Sequence, residues 1–303
     1  MPIVIPKDIP AYGILSAENV FVMPKARAMT QDIRPIEIAV VNLMPTKIET
    51  ETQLIRLLAN TPLQVNLTLV RTESYRSTHT ADDHMEKFYK TFSEIKDCRF
   101  DGMIITGAPV ETLQFREVLY WKELMDIMDF AERNVTSTIY ICWGAQAALH
   151  HYYGIEKHSL ERKLFGVYKN HAVTEFDPLL KGLNDSFSIP HSRHTTVDEK
   201  ALYAHPDLEV LAAGKECGVS IVKSKDNRRF FFFGHAEYDR DTLKKEYLRD
   251  LDKGLPIDPP AHYFIDGDVN RINMSWNSTA NLLFYNWLNH YVYQVTPFSL
   301  GEK

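Results

Sequence analysis

The sequence predicts an α/β protein whose mostly parallel sheet is flanked by helices on both faces. Short apolar runs alternate with helical segments through the first half of the chain, which is typical of parallel strands joined by crossover helices. No repeat or low-complexity linker interrupts this pattern. We therefore predict one domain over residues 1–303, with an N-terminal arm at about 1–35 and a C-terminal helical extension at about 240–303.

The individual elements follow from hydrophobic periodicity and helix start signals. Four apolar segments of the first half are predicted as strands, namely 36–43, 63–71, 101–107 and 136–142. Thr46 and Glu49 have capping-box spacing, so a helix is predicted from there to about Leu58. Further helices are predicted within the polar stretch 72–97 and over 115–132. The second half is predicted to hold strands near 164–174, 186–190, 208–213, 218–223 and 229–233, then helices at about 240–253 and 276–292.

Composition and charge limit the functional classes. The chain has 303 residues, 45% apolar and 24% charged, with a formal net charge of −6. This balance does not indicate a general nucleic-acid or membrane surface, and MPIVIPKDIPAYG lacks the pattern of a signal peptide. The three widely spaced cysteines, Cys98, Cys142 and Cys217, fit neither a disulfide framework nor a zinc pattern. We expect a reducing, cytoplasmic location.

Cys142 stands where the predicted strand 136–142 ends, and Gly144 and a run of helix formers follow it. A strand–turn–helix corner of this kind exposes a nucleophile and directs helix N–H groups at it. The alternative is a small buried apolar residue, which is what most free cysteines are. Lys47 and the 107–111 loop also follow predicted strand ends, where ligands bind in parallel sheets. This convergence favours the catalytic interpretation.

A nucleophilic cysteine needs a base to hold its proton, and His235 is the best local candidate. It follows an apolar strand and Gly234, and Glu237 stands two residues later, so both side chains can project to one side. The alternative is a satisfied polar residue at a strand end. His191 and His194 invite a metal interpretation, but a third ligand at suitable spacing is missing from the sequence. We predict no metal site.

Five separated motifs carry a family resemblance, namely VNLMPTKIETE, ITGAPVE, YICWGAQAALHHYYG, IPHSRHT and FGHAEYD. The cysteine corner and the His-x-Glu pair resemble class I glutamine amidotransferases, which have a flavodoxin-like fold. Tyr140 and Ala236 stand where those proteins usually have glycine and proline. With these departures, the five motifs together resemble the homoserine O-acyltransferases of methionine biosynthesis over nearly the whole chain.

The resemblance implies ping-pong catalysis on a single cysteine. Cys142 is expected to attack an acyl-CoA and to carry the acyl group as a thioester. His235 then takes the thiol proton and later the proton of the homoserine hydroxyl, while Glu237 orients the imidazolium. We expect the backbone N–H groups of Trp143 and Ala108 to form the oxyanion hole. Acyl-CoA is a cosubstrate, and no permanently bound cofactor is expected.

Further residues are expected to bind the substrates. The family pattern places substrate contacts at Lys163, Ser192 and Arg249. We add Glu246, three residues before Arg249 on the predicted helix 240–253, although a surface ion pair is the alternative. Lys47 is expected either to attract the CoA phosphates or to favour the thiolate.

Glu111 bears on the identity of the acyl group. In this family, glycine at that position accompanies succinyl transfer and glutamate accompanies acetyl transfer. A second carboxylate in a dry pocket repels the distal carboxylate of a succinyl group. The resemblance therefore implies acetyl transfer from acetyl-CoA to L-homoserine. The alternatives are succinyl transfer, a glutamine amidotransferase-type hydrolase and a non-enzymatic redox-sensing or binding protein. We expect no nucleic-acid or membrane partner, and a homodimer is a further expectation.

Overall fold

The computed structural model describes residues 3–18, 20, 22–28, 34–74 and 82–296. Its strands are β1 (Ile3–Val4), β2 (Val22–Met23), β3 (Ile36–Val41), β4 (Val65–Arg71), β5 (Tyr89–Thr91), β6 (Phe100–Ile105), β7 (Val135–Ile141), β8 (Lys157–Ala172), β9 (Phe187–Val197), β10 (Leu208–Gly214), β11 (Gly218–Ser224), β12 (Arg229–Phe232), β13 (Phe264–Ile265) and β14 (Asp268–Ile272). The α-helices are α1 (Pro10–Ala17), α2 (Lys25–Ala28), α3 (Lys47–Leu58), α4 (Asp82–Phe88), α5 (Phe92–Ile95), α6 (Trp121–Asn134), α7 (Trp143–Tyr153), α8 (Glu199–Ala204), α9 (Thr242–Asp252) and α10 (Asn277–Asn286). Short 3₁₀ turns cover Phe115–Glu117 and Pro178–Leu180, and a π-helical turn covers Trp287–Tyr293.

In the described ranges, twelve strands form one sheet in the order β2-β1-β4-β3-β6-β7-β12-β11-β10-β8-β9, with β5 beside β4. All neighbours from β2 to β12 run parallel. The neighbours from β12 to β9 run antiparallel. The predicted α/β fold, with a mostly parallel sheet flanked by helices, is confirmed.

The central strands are buried on both faces, because successive side chains of a strand point to opposite sides of the sheet. Ile38 and Val40 of β3 belong to one apolar cluster, together with residues of α1, α3 and α10. Ala39 and Val41 belong to the other cluster, with residues of α6 and α7. The sheet is thus held between two helical layers.

Several local expectations differ from the structure. Thr46 is the N-cap of α3, but its side chain makes no capping hydrogen bond, so the predicted capping box does not form. The predicted helix 115–132 is divided, since the extended backbone of Val118 separates a 3₁₀ turn from α6. The arm joins the sheet through β1, which pairs with β2 and β4. Of the polar stretch 72–97, residues 75–81 lie outside the described residues.

Among the helices that the structure describes, none combines the length and apolar character needed to cross a bilayer.

Candidate active site

The candidate site lies at the carboxyl edge of four adjacent parallel strands, β3, β6, β7 and β12. Asn42, Thr106, Cys142 and the Gly234–His235 pair follow these strands in that order. The N–H of Cys142 donates to the carbonyl of Phe232 at 2.7 Å, which ties the end of β7 to that of β12. Four distant parts of the sequence therefore meet at one edge of the sheet.

Cys142 forms a sharp corner between β7 and α7. Its backbone has φ 51° and ψ −114°, a left-handed conformation that side chains other than glycine rarely adopt. Such strain costs on the order of 1–3 kcal/mol and is typical of functional sites. Gly144 permits the corner, because a Cβ there would lie 2.7 Å from the carbonyl oxygen of Thr106. The structure places the thiol at the predicted strand–turn–helix junction.

His235 and Glu237 form a buried pair beside this corner. The Nδ1 atom of His235 lies 2.7 Å from the Glu237 carboxylate, and both residues are buried. Burial lowers the pKa of His235, but the charges of Cys142 and Glu237 and hydrogen bonds to both raise it well above its ordinary value. The imidazole therefore contacts the thiol and the carboxylate together, as a base oriented by an acid requires.

The chain around His235 fixes its position. The N–H of His235 donates to the carbonyl of Pro190 in β9 at 2.7 Å. Gly234 permits this approach, since a Cβ there would lie 2.4 Å from a methyl carbon of Ile189. Gly107 leaves space beside Cys142 and His235, because a Cβ at this position would lie 3.3 Å from Cβ of Cys142 and 3.7 Å from Cε1 of His235.

Two free N–H groups lie close to the thiol. Trp143 is the first residue of α7, where no preceding helical carbonyl accepts its N–H. Ala108 lies in the loop after β6, next to Gly107. Within the described residues, neither backbone N–H donates to another group of the chain. Both N–H groups are therefore available to an acceptor from outside the chain.

Two donors of β9 hold the carboxylate of Glu111. Its carboxylate accepts from the N–H of His194 at 2.9 Å and from the hydroxyl of Thr195 at 3.2 Å. The single proton of the Thr195 hydroxyl is shared with the side-chain oxygen of Gln146 in α7, which lies closer, at 2.8 Å. The backbone carbonyl of Glu111 accepts a hydrogen bond from Lys157. Glu111 is partly buried, and these hydrogen bonds hold its carboxylate against β9.

Arg193, next to His194 in β9, adds a buried cation. Only 2% of the residue is exposed, and its guanidinium donates to the carbonyls of Thr195 and Cys217 at 3.0 and 2.9 Å. It makes no ion pair with any described residue. Burial lowers the pKa of Arg193, and the charges of Cys142, Cys217 and Glu111 oppose this shift. A buried cation without a paired carboxylate favours negative charge on its neighbours, here the thiol of Cys142 and the carboxylate of Glu111.

A second polar cluster centres on Glu246 of α9. Its carboxylate accepts from Lys163 at 2.7 Å and from the hydroxyl of Ser192 at 2.9 Å. The carbonyl of Ser192 lies 4.0 Å from the sulfur of Cys142, so the cluster is adjacent to the nucleophile. Arg249 lies 3.7 Å from Glu246, pairs at 2.7 Å with Asp250, and has a half-exposed side chain. The predicted substrate residues are thus brought together around one carboxylate.

Lys47 lies in a different environment from the other predicted residues. It is buried, and its ammonium donates to the carbonyl of Asn42. Burial lowers its pKa to about 8, against the attraction of Glu51. Lys47 also lines a cavity of about 240 Å³ with Pro109 and Val110 of the loop after β6. Both expected roles for Lys47 stay predictions.

The burial of Lys47 is expected to couple stability to pH. Its pKa falls from 10.5 to about 8 on folding, so between these values the unfolded chain holds a proton that the folded chain lacks. The free energy of unfolding therefore rises with pH in this window. The gain is about 2 kcal/mol between pH 7 and pH 10, and Lys47→Met is expected to lack it. Denaturant titrations of both proteins at pH 7 and pH 10 measure the free energy of unfolding. An equal change of this free energy with pH in wild type and Lys47→Met would contradict the assignment.

The histidines near the site do not form a metal centre. Among the described residues, no group of three or more His, Cys, Asp or Glu side chains has an arrangement that holds a metal ion. His191 is fully buried, and burial together with the charges of Arg193 and His235 lowers its pKa well below the ordinary value. The adjacent guanidinium also disfavours a second cation.

Sequence reasoning did not assign three residues that line the site. Arg193 and Thr195 come from β9, which pairs with β8 and reaches the site through long-range contacts such as that between Pro190 and His235. Tyr238 stacks on the imidazole of His235 with ring centroids 4.2 Å apart. All three residues stand within the motifs IPHSRHT and FGHAEYD, in which Ser192, His235 and Glu237 already had predicted roles. Their place beside these residues was the signal that could have identified them.

The fold, with Cys142, His235 and Glu237 brought together at the carboxyl edge of its sheet, is of the class I glutamine amidotransferase-like type. Solved structures of this class are similar to it over most of the chain. A glutamine amidotransferase from Thermotoga maritima has a TM-score of 0.56 at 11% identity, covering 84% of this chain and 97% of its own. One from Methylobacillus flagellatus has a TM-score of 0.54 at 14% identity, covering 85% and 95%. These likenesses establish the fold.

The chain belongs to the homoserine O-succinyltransferase family, whose model matches residues 2–298. Curated relatives match over nearly their full length. A homoserine O-acetyltransferase from Clostridium acetobutylicum is 53% identical, covering 99% of this chain and 100% of the relative. Homoserine O-acetyltransferase 1 from Ilyobacter polytropus is 52% identical over the same shares, and the homoserine O-acetyltransferase from Shouchella clausii is 52% identical over 100% and 98%. The family resemblance in the sequence is confirmed.

Proposed function

We propose that the protein is a homoserine O-acetyltransferase of methionine biosynthesis, which moves an acetyl group from acetyl-CoA to the hydroxyl of L-homoserine. The observation that carries the proposal is the setting of Cys142. The carbonyl of Ser192 lies 4.0 Å from its sulfur, and Ser192 and His194 of the same strand hold the carboxylates of Glu246 and Glu111. The names of the curated relatives support the same assignment.

The first half-reaction acetylates the enzyme. His235 takes the proton of the Cys142 thiol, and the thiolate attacks the carbonyl carbon of acetyl-CoA. The N–H groups of Trp143 and Ala108 stabilise the oxyanion, and each such donor contributes about 3 kcal/mol to the barrier reduction. The intermediate collapses to an acetyl thioester on Cys142. The leaving CoA sulfur takes the proton from His235, so that the imidazole is again a base.

The second half-reaction transfers the acetyl group. His235 takes the proton of the homoserine hydroxyl, whose oxygen attacks the acetyl thioester. The second oxyanion uses the same two donors, and its collapse expels the Cys142 thiolate. The imidazolium returns its proton to the sulfur. Glu237 lies 2.7 Å from the imidazole and stabilises its positive charge in both halves.

The acceptor needs groups for both charges of its amino-acid part. Glu246 supplies a carboxylate for the ammonium, and Lys163 and Ser192 hold that carboxylate in place. Arg249 supplies a guanidinium for the carboxylate, and its half-exposed side chain is accessible to a ligand. Lys163 also lies 3.6 Å from Asp250, which limits its own reach toward substrate.

Glu111 explains acetyl selectivity in physical terms. Its carboxylate occupies the N–H of His194 and the hydroxyl of Thr195, close to the Arg193 cation. The same donors suit the distal carboxylate of a succinyl group, which Glu111 displaces by occupancy and by charge repulsion. An acetyl group has no distal carboxylate, so Glu111 does not weaken its binding. The protein therefore supplies from its own chain the charge that a succinyl substrate would bring.

Glu111→Gly is expected to reverse the acyl preference. Removing the side chain frees both donors and the neighbouring cation, so kcat/KM for succinyl-CoA rises and kcat/KM for acetyl-CoA falls. The combined change is about 100-fold or more, because a site whose donors hydrogen-bond one ligand group discriminates strongly against ligands that lack or duplicate that group. Steady-state kinetics with both CoA esters measures it. Glu111→Gln is the matched control, since it keeps the bulk and loses only the charge. A wild-type preference for succinyl-CoA would contradict the proposal.

Two other functions are separated by simple assays. A succinyltransferase is the alternative that the family description suggests, and the fixed carboxylate of Glu111 speaks against it. A glutamine amidotransferase would release ammonia from glutamine without any acyl-CoA.

We also propose a cytoplasmic location, where thiols stay reduced, and a homodimer, which analytical ultracentrifugation tests.

A further inference from the structure

The turn that carries His235 and Glu237 is held by neighbouring elements and not by secondary structure of its own. Residues 233–239 belong to no helix or strand. The N–H of His235 donates to a carbonyl of β9 at 2.7 Å, and the indole N–H of Trp276 donates to the carbonyl of Tyr238 at 2.9 Å. The position of the Glu237 carboxylate therefore depends on contacts made by the residues on either side of it.

Arg56 of α3 contacts the far end of this turn. Its guanidinium donates to the carboxylate of Asp239 at 2.6 Å and, through two further N–H groups, to that of Glu18 at 2.5 and 2.7 Å. Glu18 is the C-cap residue of α1, so one planar cation joins α1, α3 and the turn. The fork geometry of arginine suits such a double contact, which the point charge of a lysine does not reproduce.

A cavity of about 300 Å³ is bordered by both α3 and the turn. Gln53 and Arg56, three residues apart on one face of the helix, line it from α3, and Glu237 and Asp239 line it from the turn. A second polar contact runs from the side-chain amide of Gln53 to the hydroxyl of Thr242, the first residue of α9, at 3.0 Å. At this cavity, polar bridges hold the turn at its distance from α3.

Asp239 is a partly buried carboxylate that depends on this cation, since only 32% of its side chain is exposed. Burial raises the pKa of Asp239, the charge of Arg56 lowers it, and the charges of Asp241 and Glu18 raise it further. Without the guanidinium, the carboxylate is expected to turn toward water or to take a proton. Either change displaces the chain that leads back to Glu237.

We propose that Arg56 is a positioning residue for the catalytic pair: by holding Asp239 it fixes the turn that carries Glu237 and keeps that carboxylate on the imidazole of His235. Asp239 stands two residues after Glu237, which lies 2.7 Å from Nδ1 of His235, so a short path joins the guanidinium to the base. The inference rests on the proposed function and deepens it. Because the base acts in both half-reactions, its positioning serves both.

Arg56→Met is expected to lower kcat about 10- to 100-fold, because a small displacement of a catalytic group has an effect of this size. KM for acetyl-CoA and KM for homoserine are expected to change at most about 2-fold, since Arg56 is assigned no contact with either substrate. Arg56→Lys keeps the charge without the fork and is expected to restore only part of kcat. Arg228→Met is the matched control, since it removes a comparably exposed arginine that pairs with Glu132.

Two measurements separate positioning from a loss of folded protein. In a Glu237→Gln background no carboxylate is left to position, so Arg56→Met is expected to change kcat at most about 2-fold there, because residues that act as a unit are not additive. By NMR titration, Arg56→Met is expected to lower the pKa of His235, since a displaced Glu237 stabilises the imidazolium less.

An unchanged kcat, an equal loss in both backgrounds or an unchanged imidazole pKa overturns the proposal. The NMR titration needs no substrate, so it tests the positioning of His235 by itself. If wild-type protein forms no acetyl-enzyme, or homoserine does not discharge one, the proposed function itself fails, whatever the pKa of His235 does in the variant.

Discussion

Cys142→Ala is expected to reduce homoserine acetylation roughly 10⁴-fold or more, because no other group at the site can carry the acetyl thioester. The thiol is held at a strained corner, beside a buried imidazole and two free N–H groups. Alanine keeps the backbone and the N–H groups but removes the nucleophile. CoA release from acetyl-CoA with and without homoserine measures both half-reactions, and both are expected to be lost.

Cys98→Ala is the matched control for this variant. Cys98 is a partly exposed free cysteine outside the site, so its replacement is expected to preserve activity. If Cys142→Ala still acetylated homoserine at a substantial rate, the hydroxyl would be attacking acetyl-CoA directly. The covalent mechanism would then be wrong, even with the histidine–glutamate pair intact.

Glu237→Gln is expected to lower kcat about 10³- to 10⁴-fold, by analogy with the loss of the orienting carboxylate in other triads. The carboxylate lies 2.7 Å from Nδ1 of His235 and is buried with it, so no solvent replaces its charge. An amide can present its N–H to the same nitrogen and stabilise the wrong tautomer. Steady-state kinetics measures the loss, and Glu237→Asp is the control that keeps the charge.

The same variant makes a prediction about protonation. Burial lowers the pKa of His235, and the charges of Cys142 and Glu237 overcome this to raise it. Removing one of these charges is expected to lower the pKa of His235, which NMR titration of the imidazole measures in both proteins. An unchanged pKa together with unchanged kcat would show that Glu237 does not serve the imidazole.

The sequence predicted the edge of the sheet at which the site lies, because strand periodicity and strand ends are local signals. Cys142 followed by Gly144, and His235 followed by Glu237, are also local patterns, and the structure places each pair as its spacing indicates. Their mutual contact joins β7 to β12, and only the five-motif resemblance linked those segments beforehand.

Contacts between distant segments were not accessible from the sequence. Glu111 accepts from His194, which lies 83 positions away on another strand. Arg193 is buried because β9 folds back over the site, although an arginine in a polar motif is ordinarily exposed. The spacing of Glu246 and Arg249 suggested an ion pair, whereas the shorter contact of Glu246 is to Lys163, at 2.7 rather than 3.7 Å.

The most direct test of the account is the mass of the protein after mixing with acetyl-CoA alone. We expect one added acetyl group, located by peptide mapping on the segment that contains Cys142 and absent from Cys142→Ala. Homoserine is expected to remove that mass and to yield an equal amount of O-acetylhomoserine. No acetylation of wild type, an acetyl group on another residue, or one that persists in the presence of homoserine would contradict the account.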